Sequence, residues 1–441
     1  MTQRSLAQLR SGEAAGARVW RMPHRDGEPQ LTQFPEELLA LADTLEVLDL
    51  SGHALSSLPP SLSRFTRLTA LFASYNQFDH LPEVLGEMPA LSQVGFRNNQ
   101  IRHVSGNALP ARLRWLTLTD NQLGELPTEI GQRPLLEKVG LAGNRLQALP
   151  DSLADAARLG LFRVSANQLT NLPGWLTELP ELAWLGWGGN PADRQRVRPA
   201  PHAPDIAWQA LELGELLGQG ASGLIHRAVW RQPDGQTRDV AVKLFKGTMT
   251  SDGLPDEEMA ASLAASGHPT LMAAIGRLKD HPDGTLGLVM PLLPEGWRVL
   301  AGPPSLASCS RDVFDPTLRL PLHVAVRIAA DVGLAGAHLH GLGLVHGDFY
   351  AHNTLWNGTS GRALLSDLGA ACFVPPGMPA HKLQRVEVRA WGLLLGEVLA
   401  CVEGAVPAGL SALQAACVQP AVQQRPLLAE AVAALRPWSA D

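Results

Sequence analysis

The second half of the chain contains the stretch His346-Gly347-Asp348-Phe349-Tyr350-Ala351-His352-Asn353, followed after thirteen residues by Asp367-Leu368-Gly369. An apolar run over residues 321–345 precedes this stretch and has the spacing of a helix. Single Asp and Asn residues are common in polar turns and carry no chemistry there. Two carboxylates and an amide in this order and spacing are more specific, and they predict a functional site.

The two stretches resemble the catalytic loop and the metal-binding loop of the protein kinase superfamily, which read H-R-D-x-x-x-x-N and D-F-G. The resemblance implies that Asp348 orients and deprotonates an acceptor hydroxyl. It also implies that Asn353 and Asp367 hold Mg²⁺ on the phosphates of ATP, because carboxylate and amide oxygens are hard ligands. Two residues depart from the pattern, since Gly347 replaces the usual Arg and Leu368 the usual Phe.

A glycine-rich segment lies upstream and reads Leu217-Gly218-Gln219-Gly220-Ala221-Ser222-Gly223-Leu224-Ile225, which fits G-x-G-x-x-G-x-[VI]. A dinucleotide-binding fold would require a helix directly after these glycines. Instead, a strand-like segment, a polar turn at residues 233–235 and the sequence VAVK at residues 240–243 follow. This order predicts a strand, a hairpin and a second strand, and it resembles the start of a kinase domain. The resemblance implies that residues 217–223 and Ile225 bind ATP.

Further residues on the same resemblance complete a nucleotide site. Lys243 is expected to contact the α- and β-phosphates, and Ala241 to lie beneath the adenine. Lysine is scarce in this chain, with five residues in 441, so a lysine at this position is less readily explained by chance. Glu258 is expected to pair with Lys243 from a helix, with Glu257 as the alternative, and Met290 to act as the gatekeeper. Residues 303–316 resemble an insertion of unknown role.

The segment after Gly369 is unusually short. Only 17 residues separate Gly369 from the stretch Glu387-Val388-Arg389-Ala390-Trp391-Gly392, which resembles the kinase helix D-x-W-x-x-G. Residues 370–386 contain no Ser, Thr or Tyr and no A-P-E motif. Gly347 also removes the arginine that would bind a phosphorylated loop. We therefore predict that phosphorylation of this segment does not activate the domain. Arg425-Pro426 resembles the late arginine of the kinase C-lobe.

The first half of the chain repeats a leucine pattern with a period of 23 residues, shortened once to 22. Each unit begins with Leu and follows the pattern L-x-x-L-x-L, with other apolar residues in place of the later leucines in several units. Asn usually lies three residues after the pattern, with His53 in its place in the first unit. The units start at Leu45, Leu68, Leu91, Leu113, Leu136, Leu159 and Leu182. One unit cannot bury its leucines alone, so units must stack. The pattern resembles leucine-rich repeats over residues 31–191.

Alternation along each short strand predicts which side chains line the concave face of such a stack. At equivalent positions the repeats carry Phe72, Trp115, Leu161 and Trp184, which we expect to face water. Large apolar groups on a surface are typical of protein interfaces. We therefore expect this face to bind a protein substrate or partner.

Composition argues against several other classes of protein, namely nucleic-acid-binding, zinc-binding, secreted and membrane proteins. Residues 1–200 hold 19 basic and 20 acidic residues and residues 201–441 hold 17 and 22, so neither half favours nucleic acid. The four cysteines form no C-x-x-C pair, which favours a reducing compartment and offers no zinc framework. The N-terminus lacks an apolar signal core, and no run of about 18 apolar residues occurs. We expect a cytoplasmic protein without a membrane segment.

The sequence thus predicts an α/β leucine-rich-repeat solenoid followed by an α+β two-lobed protein-kinase-like domain, as in bacterial cytoplasmic leucine-rich repeat kinases. The predicted parts are an N-terminal segment or degenerate cap (1–30), the solenoid (31–191), a linker (192–210) and the kinase-like domain (211–437). The expected activity is ATP- and Mg²⁺-dependent protein phosphorylation, on Ser or Thr by default.

Two alternatives stay open. H-G-D-x-x-x-x-N also resembles the aminoglycoside and choline kinases, which phosphorylate small molecules. A pseudokinase scaffold would explain the short segment and the lost arginine. Against the scaffold, the four residues Lys243, Asp348, Asn353 and Asp367 are all present.

Overall fold

The computed structural model describes residues 6–24, 27, 29–194, 203–220, 222–247, 249–250 and 252–438. The chain divides into two compact units, Met1–Leu179 and Pro180–Asp441. The division falls ahead of the last leucine repeat, which starts at Leu182, so this repeat belongs to the second unit. The domain boundaries given above at residues 191 and 211 stay predictions.

The first unit is a solenoid-like stack of short parallel strands, one from each repeat. Equivalent residues of neighbouring repeats pair, as Leu48 does with Leu71 and Leu71 with Val94. After the short helix α1 (Leu6–Arg10) the strands are β1 (Val19–Arg21), β2 (Val47–Asp49), β3 (Ala70–Phe72), β4 (Gln93–Gly95), β5 (Trp115–Thr117), β6 (Lys138–Gly140) and β7 (Leu161–Arg163). The returning segments form 3-10 helices at Glu36–Leu41, Pro60–Arg64, Glu83–Glu87, Gly106–Ala108, Thr128–Gln132, Asp151–Asp155 and Gly174–Thr177.

The repeated asparagine joins successive repeats through the backbone. The Asn167 side chain accepts a hydrogen bond from the Leu146 amide (3.0 Å) and donates to the Leu141 carbonyl (2.9 Å) of the preceding repeat. His53 takes this role in the first unit, with its Nε2 2.8 Å from the Met22 carbonyl. Because unpaired buried backbone groups are costly, this ladder explains why the position tolerates few residue types.

The predicted concave-face residues differ in exposure. Phe72 and Trp115 are half-buried, their rings meet edge to face at 6.1 Å, and the Lys138 ammonium lies 4.2 Å from the Trp115 ring. Leu161 and Trp184 are buried, at 6% and 3% exposure. The expectation that all four face water is therefore wrong for Leu161 and Trp184. Strand alternation gives the side on which a residue lies, but it does not tell what else packs there.

The second unit begins with β8 (Trp184–Gly186) and α2 (Pro191–Arg194), and its strand-rich part follows. This part contains β9 (Asp205–Ala207), β10 (Leu211–Gln219), β11 (Gly223–Arg231), β12 (Thr237–Phe245), α3 (Pro255–Ala264), β13 (Gly276–Lys279), β14 (Gly287–Pro291) and β15 (Arg298–Val299). The strands form a sheet of order β10-β11-β12-β14-β13-β9. β11 and β12 pair antiparallel around the turn at residues 233–235, which confirms the predicted strand, hairpin and strand.

The remainder of the second unit is mainly helical. It comprises α4 (Leu322–Gly341), β16 (Leu344–Val345), β17 (Thr354–Trp356), β18 (Ala363–Leu365), β19 (Cys372–Phe373), α5 (Ala380–Ala400), α6 (Ala408–Val418) and α7 (Leu428–Ala433). α4 and α5 are joined by the Trp391 indole, which donates to the Ala329 carbonyl at 2.9 Å. Gly392 allows α6 to approach, since a Cβ there would lie 2.6 Å from Cys417.

Helix α4 is a long apolar helix that lies in the core of the second unit's helical part. Among the described residues it is long and apolar enough to cross a membrane by length and composition alone. More than half of its apolar window is buried within the protein, including Val326, Ile328 and Ala329 at 0% exposure. These are the contacts of a core helix in the kinase-like unit.

Candidate active site

A buried ion pair lies between the strand-rich sheet and helix α3. The Lys243 ammonium on β12 contacts the Glu258 carboxylate on α3, and the two residues are 7% and 4% exposed. Burial raises the pKa of Glu258, the nearby Asp367 carboxylate raises it further, and Lys243 opposes both effects. Of the two glutamates expected as candidates, the one paired with Lys243 is therefore Glu258. Asp367 is close enough to influence this pair.

Strand register assembles the predicted adenine side of the site. Ala241 on β12 is the direct cross-strand partner of Met290 on β14, and Ile225 on β11 is the partner of Lys243. Ala241 and Lys243 are two residues apart, so their side chains lie on the same face of the sheet. A sheet face with a small residue, a gatekeeper position and a lysine suits a flat base followed by phosphates.

The glycine-rich loop closes between β10 and β11. The Gly220 amide donates to the Gly223 carbonyl at 2.9 Å. A Cβ on Gly223 would lie 2.4 Å from the Leu244 carbonyl oxygen, so this position requires glycine, whereas Gly218 and Gly220 have open space around them. Leu217 is 46% exposed at the edge of the loop. Because of this open space, phosphates can approach the backbone of the loop. The described residues of the loop are Leu217, Gly218, Gln219, Gly220, Ser222 and Gly223, and Ala221 lies outside the described residues.

The predicted catalytic loop, residues 346–353, is held by its own side chains. The Asn353 amide group donates to both the carbonyl (2.9 Å) and the carboxylate (2.7 Å) of Asp348. Because β17 and β18 form an antiparallel hairpin, Asn353 at one end lies beside Ser366 at the other. The Ser366 amide and hydroxyl both donate to the Asn353 carbonyl at 2.8 Å. The His346 ring is fully buried, at 0% exposure, and its Nε2 lies within hydrogen-bond distance of the Ser366 carbonyl, at 3.0 Å.

The donor set near this hairpin fits a hard divalent cation. Asp367, directly after Ser366, has a left-handed backbone (φ 60°), and its carboxylate accepts a hydrogen bond from the Gly369 amide at 3.1 Å. Since Nδ2 of Asn353 is engaged by Asp348, Oδ1 is the atom that can approach a cation. No group of three or more His, Cys, Asp or Glu side chains forms a metal site within the described residues. One carboxylate and one amide therefore suit a cation that is shared with phosphates.

A histidine with a carboxylate partner lies next to these predicted metal-binding residues, and the sequence did not predict this pair. The Asp312 carboxylate accepts from the His352 backbone amide (3.0 Å) and contacts its Nδ1 (2.7 Å). Burial alone would lower the pKa of His352, but the bond to Asp312 and the charges of Asp348 and Asp367 outweigh it and raise the pKa. Asp312 lies in the segment whose role the sequence left open. No local pattern marks it, because its partner is 40 residues away.

Gly347 fills a space in which a side chain would not fit. Its backbone is left-handed (φ 73°), and a Cβ would lie 2.5 Å from the Ala370 carbonyl oxygen and 2.9 Å from that of Leu185. Its amide donates to the Glu387 carboxylate at 2.6 Å. Burial would raise the pKa of Glu387, but the contacts with His340 and the Gly347 amide lower it instead. Glu387 thus secures the loop from α5.

Arg425 binds backbone carbonyls in place of an acidic partner. Its guanidinium is buried (1% exposed) and donates to the carbonyls of Gln419 (2.9 Å), Arg385 (3.1 Å) and Pro180 (2.7 Å). Burial, and then the charge of Arg389, lower the pKa of Arg425 to about 10. The missing A-P-E motif is thus replaced by carbonyl oxygens around the same arginine.

Known proteins with similar sequences fall into two groups. Residues 211–385 match the family model for protein tyrosine and serine/threonine kinases. Non-receptor tyrosine-protein kinase TNK1 of Mus musculus is 33% identical over 155 residues, which cover 33% of this chain and 21% of that protein. Probable serine/threonine-protein kinase gdt4 of Dictyostelium discoideum is 29% identical over 150 residues, covering 34% of this chain and 8% of that protein.

A third relative is not a kinase by its name. A leucine-rich repeat and calponin homology domain-containing protein of Drosophila melanogaster is 41% identical over 75 residues, covering 17% of this chain and 9% of that protein. The chain spans less than a quarter of the length of each of these three relatives. Residues 211–385 form a protein kinase domain with both serine/threonine and tyrosine kinases among its relatives.

Proposed function

We propose that this protein is an active, ATP-dependent protein kinase that phosphorylates serine or threonine. The observation that carries the proposal is the buried pair of Lys243 and Glu258, within electrostatic reach of Asp367. Burying two charges costs free energy, and a well-packed apolar pair is often more stable. A pair retained in such a place supports a functional role, here the binding of ATP phosphates by Lys243.

The remaining roles follow from the catalytic loop. Asp348 accepts the proton of the acceptor hydroxyl while that oxygen bonds to the γ-phosphorus and the bond to ADP breaks. Asn353 orients the Asp348 carboxylate through the 2.7 Å hydrogen bond and, with Asp367, would hold Mg²⁺. The cation would neutralise charge on the phosphates. Ala241, Met290 and the glycine-rich loop would enclose the base and the phosphates.

Single-turnover phosphoryl transfer tests whether the domain is a catalyst or a scaffold. Purified full-length protein is mixed with labelled ATP, Mg²⁺ and a general protein substrate. We expect Asp348→Ala to lower the transfer rate by a factor of about 10² or more, the range of general base catalysis. Equal signals from wild type and Asp348→Ala would favour the pseudokinase scaffold, which the short segment after Gly369 would suit.

The acceptor requires a separate test. Tyr350 and His352 stand at the positions where serine/threonine kinases usually have Lys and many tyrosine kinases have Arg. The attached repeats favour a protein acceptor over a small molecule, and serine or threonine is the default. Phosphoamino acid analysis of labelled protein substrates tests the residue type. Transfer to amino-alcohols alone would favour the alternative related to aminoglycoside and choline kinases.

We also propose that the first unit is a leucine-rich repeat array that binds a protein on its concave face. The half-buried rings of Phe72 and Trp115 support this role, and the Drosophila relative supports the repeat type. Leu161 and Trp184 are too buried to contribute in this structure. A pull-down with full-length protein and its Trp115→Ala variant tests the proposal, and equal capture of every partner would contradict it.

A further inference from the structure

A short segment of the second unit, residues 184–188, contacts the catalytic loop. The Trp184 indole on β8 donates to the Phe349 carbonyl at 3.1 Å, and its ring stacks on that of Tyr350 with centroids 4.2 Å apart and 5° between planes. Phe349 and Tyr350 directly follow Asp348. Trp184 is 3% exposed, so this hydrogen bond is made away from water.

The same segment also contacts the chain beyond Asp367-Leu368-Gly369. The Trp187 indole donates to the Phe373 carbonyl at 3.2 Å. The backbone amides of Trp187 and Gly188 both lie 3.2 Å from the Cys372 sulfur. Trp187 is fully buried, at 0% exposure. Residues 184–188 therefore contact two segments of the site, namely the residues directly after Asp348 and the strand β19, which follows Asp367.

The backbone of the loop is shaped to admit this segment. Gly347, directly before Asp348, leaves the space that the Leu185 carbonyl occupies, since a Cβ would approach that oxygen to 2.9 Å. Residues 370–386 contain no hydroxyl group that could be phosphorylated. The catalytic loop thus lacks the arginine of a phosphorylation switch, and residues 370–386 lack its phosphate-accepting residue. A tryptophan-containing segment packs against the catalytic loop instead.

We propose that Trp184 is a positioning residue for phosphoryl transfer, and that residues 184–188 brace the catalytic loop in its active geometry. Trp184 fixes the peptide between Phe349 and Tyr350, one residue beyond Asp348, and thereby restricts the direction of the Asp348 carboxylate. Trp187 holds β19 and with it the segment that leads from Asp367. The inference rests on the proposed kinase activity, and it adds that activity depends on a segment outside the matched kinase region 211–385.

Directional contacts separate this role from packing alone. A hydrogen bond to a backbone carbonyl fixes position along one line, and the parallel ring stack fixes the Tyr350 plane. Loss of the indole N–H would leave a buried carbonyl without its donor, which is costlier than the loss of an exposed contact. Catalysis is sensitive to displacement of the reacting groups by about 1 Å.

The test compares full-length Trp184→Phe with wild type and with Trp208→Phe. Phenylalanine can stack on Tyr350 but has no N–H. Trp208 serves as the control because it lies in the same unit and packs on His281 with centroids 4.4 Å apart, on the strand-rich part. We expect Trp184→Phe to lower kcat about fivefold to tenfold and to leave KM for ATP nearly unchanged, since Lys243 and Glu258 are untouched. Trp208→Phe should leave both parameters unchanged.

Hydrogen exchange provides a readout that does not depend on activity. In Trp184→Phe, exchange of the peptide that spans residues 346–353 should speed up, while most other peptides exchange as in wild type. If Trp184→Phe fails to fold, Tyr350→Leu removes the ring stack and leaves the indole N–H bond in place, and it should also lower kcat and speed up exchange of the 346–353 peptide.

Several results would overturn the inference. Unchanged kcat and exchange in Trp184→Phe would make the contact passive packing, and a rise in kcat would make the segment an inhibitor. A loss that matches the unfolded fraction alone, with normal activity per folded molecule, would also reject it. An inactive wild type would reject the proposed function instead, and faster exchange in the 346–353 peptide would still report the brace.

Discussion

A lysine and a glutamate buried together fix the position of helix α3 against the sheet. Each charge depends on the other, because the pair of Lys243 and Glu258 is almost without water. Removing one partner leaves the other charge uncompensated, which costs far more than losing an exposed ion pair.

We expect Glu258→Gln to lower the free energy of unfolding of the protein by about 3 kcal/mol and to reduce phosphoryl transfer strongly. Asp256→Asn is the matched control, since Asp256 lies exposed in the first turn of the same helix. Thermal or denaturant unfolding of both variants, with and without ATP and Mg²⁺, measures the effect. Equal stability of the two variants would contradict a structural role for the pair.

Glu397 on α5 makes the free energy of unfolding of the protein depend on pH. Burial raises the pKa of Glu397 to about 7, against the opposing charge of Arg311 at 2.5 Å, while Asp312 raises it further. A carboxyl group whose pKa is raised on folding stabilises the folded state fully below its unfolded pKa. That stabilisation is lost as pH rises from about 4.5 to about 7.

The substitution Glu397→Gln should remove this contribution to the pH dependence of the free energy of unfolding. We expect wild type to lose about 3 kcal/mol of unfolding free energy relative to the variant between pH 4.5 and pH 8. Urea unfolding across that range measures it, with Glu403→Gln as the control because Glu403 is exposed. Parallel pH profiles for wild type and Glu397→Gln would contradict the assignment.

The catalytic loop, as an element, is shaped by Gly347. A side chain there would meet two backbone carbonyls, which cannot move away as a flexible side chain can. The loop therefore cannot accept the arginine that most kinases have at this position. The departure seen in the sequence is a requirement of this loop's surroundings.

We expect Gly347→Ala to lower unfolding free energy by about 2–4 kcal/mol, the sum of backbone strain and steric overlap. Gly377→Ala is the control, because Gly377 also has a left-handed backbone (φ 83°) but open space around it. That variant should lose only about 1 kcal/mol. Denaturant unfolding compares the two, and equal losses would show that overlap at Gly347 is unimportant.

At the scale of the whole molecule, activity should not depend on phosphorylation of the segment after Gly369. Residues 370–386 offer no acceptor hydroxyl, and the loop is held by contacts within the second unit. We expect phosphatase-treated full-length protein to retain its phosphoryl-transfer rate within about twofold. A large loss of the phosphoryl-transfer rate after dephosphorylation would contradict the prediction.

The sequence by itself determined the features that depend on local order and spacing. The 23-residue period fixed the strand in each repeat, because stacking units must place equivalent leucines in register. The glycine-rich segment and the VAVK sequence predicted adjacent strands, and the pairing of these strands places Ile225 opposite Lys243.

Only the tertiary structure decided what depends on residues far apart in the sequence. It chose Glu258 over Glu257, revealed Asp312 as the partner of His352, and buried Trp184 against the catalytic loop. The last of these contacts spans 165 residues. No periodicity or motif encodes such a distance, because the contact depends on how two separately specified segments pack.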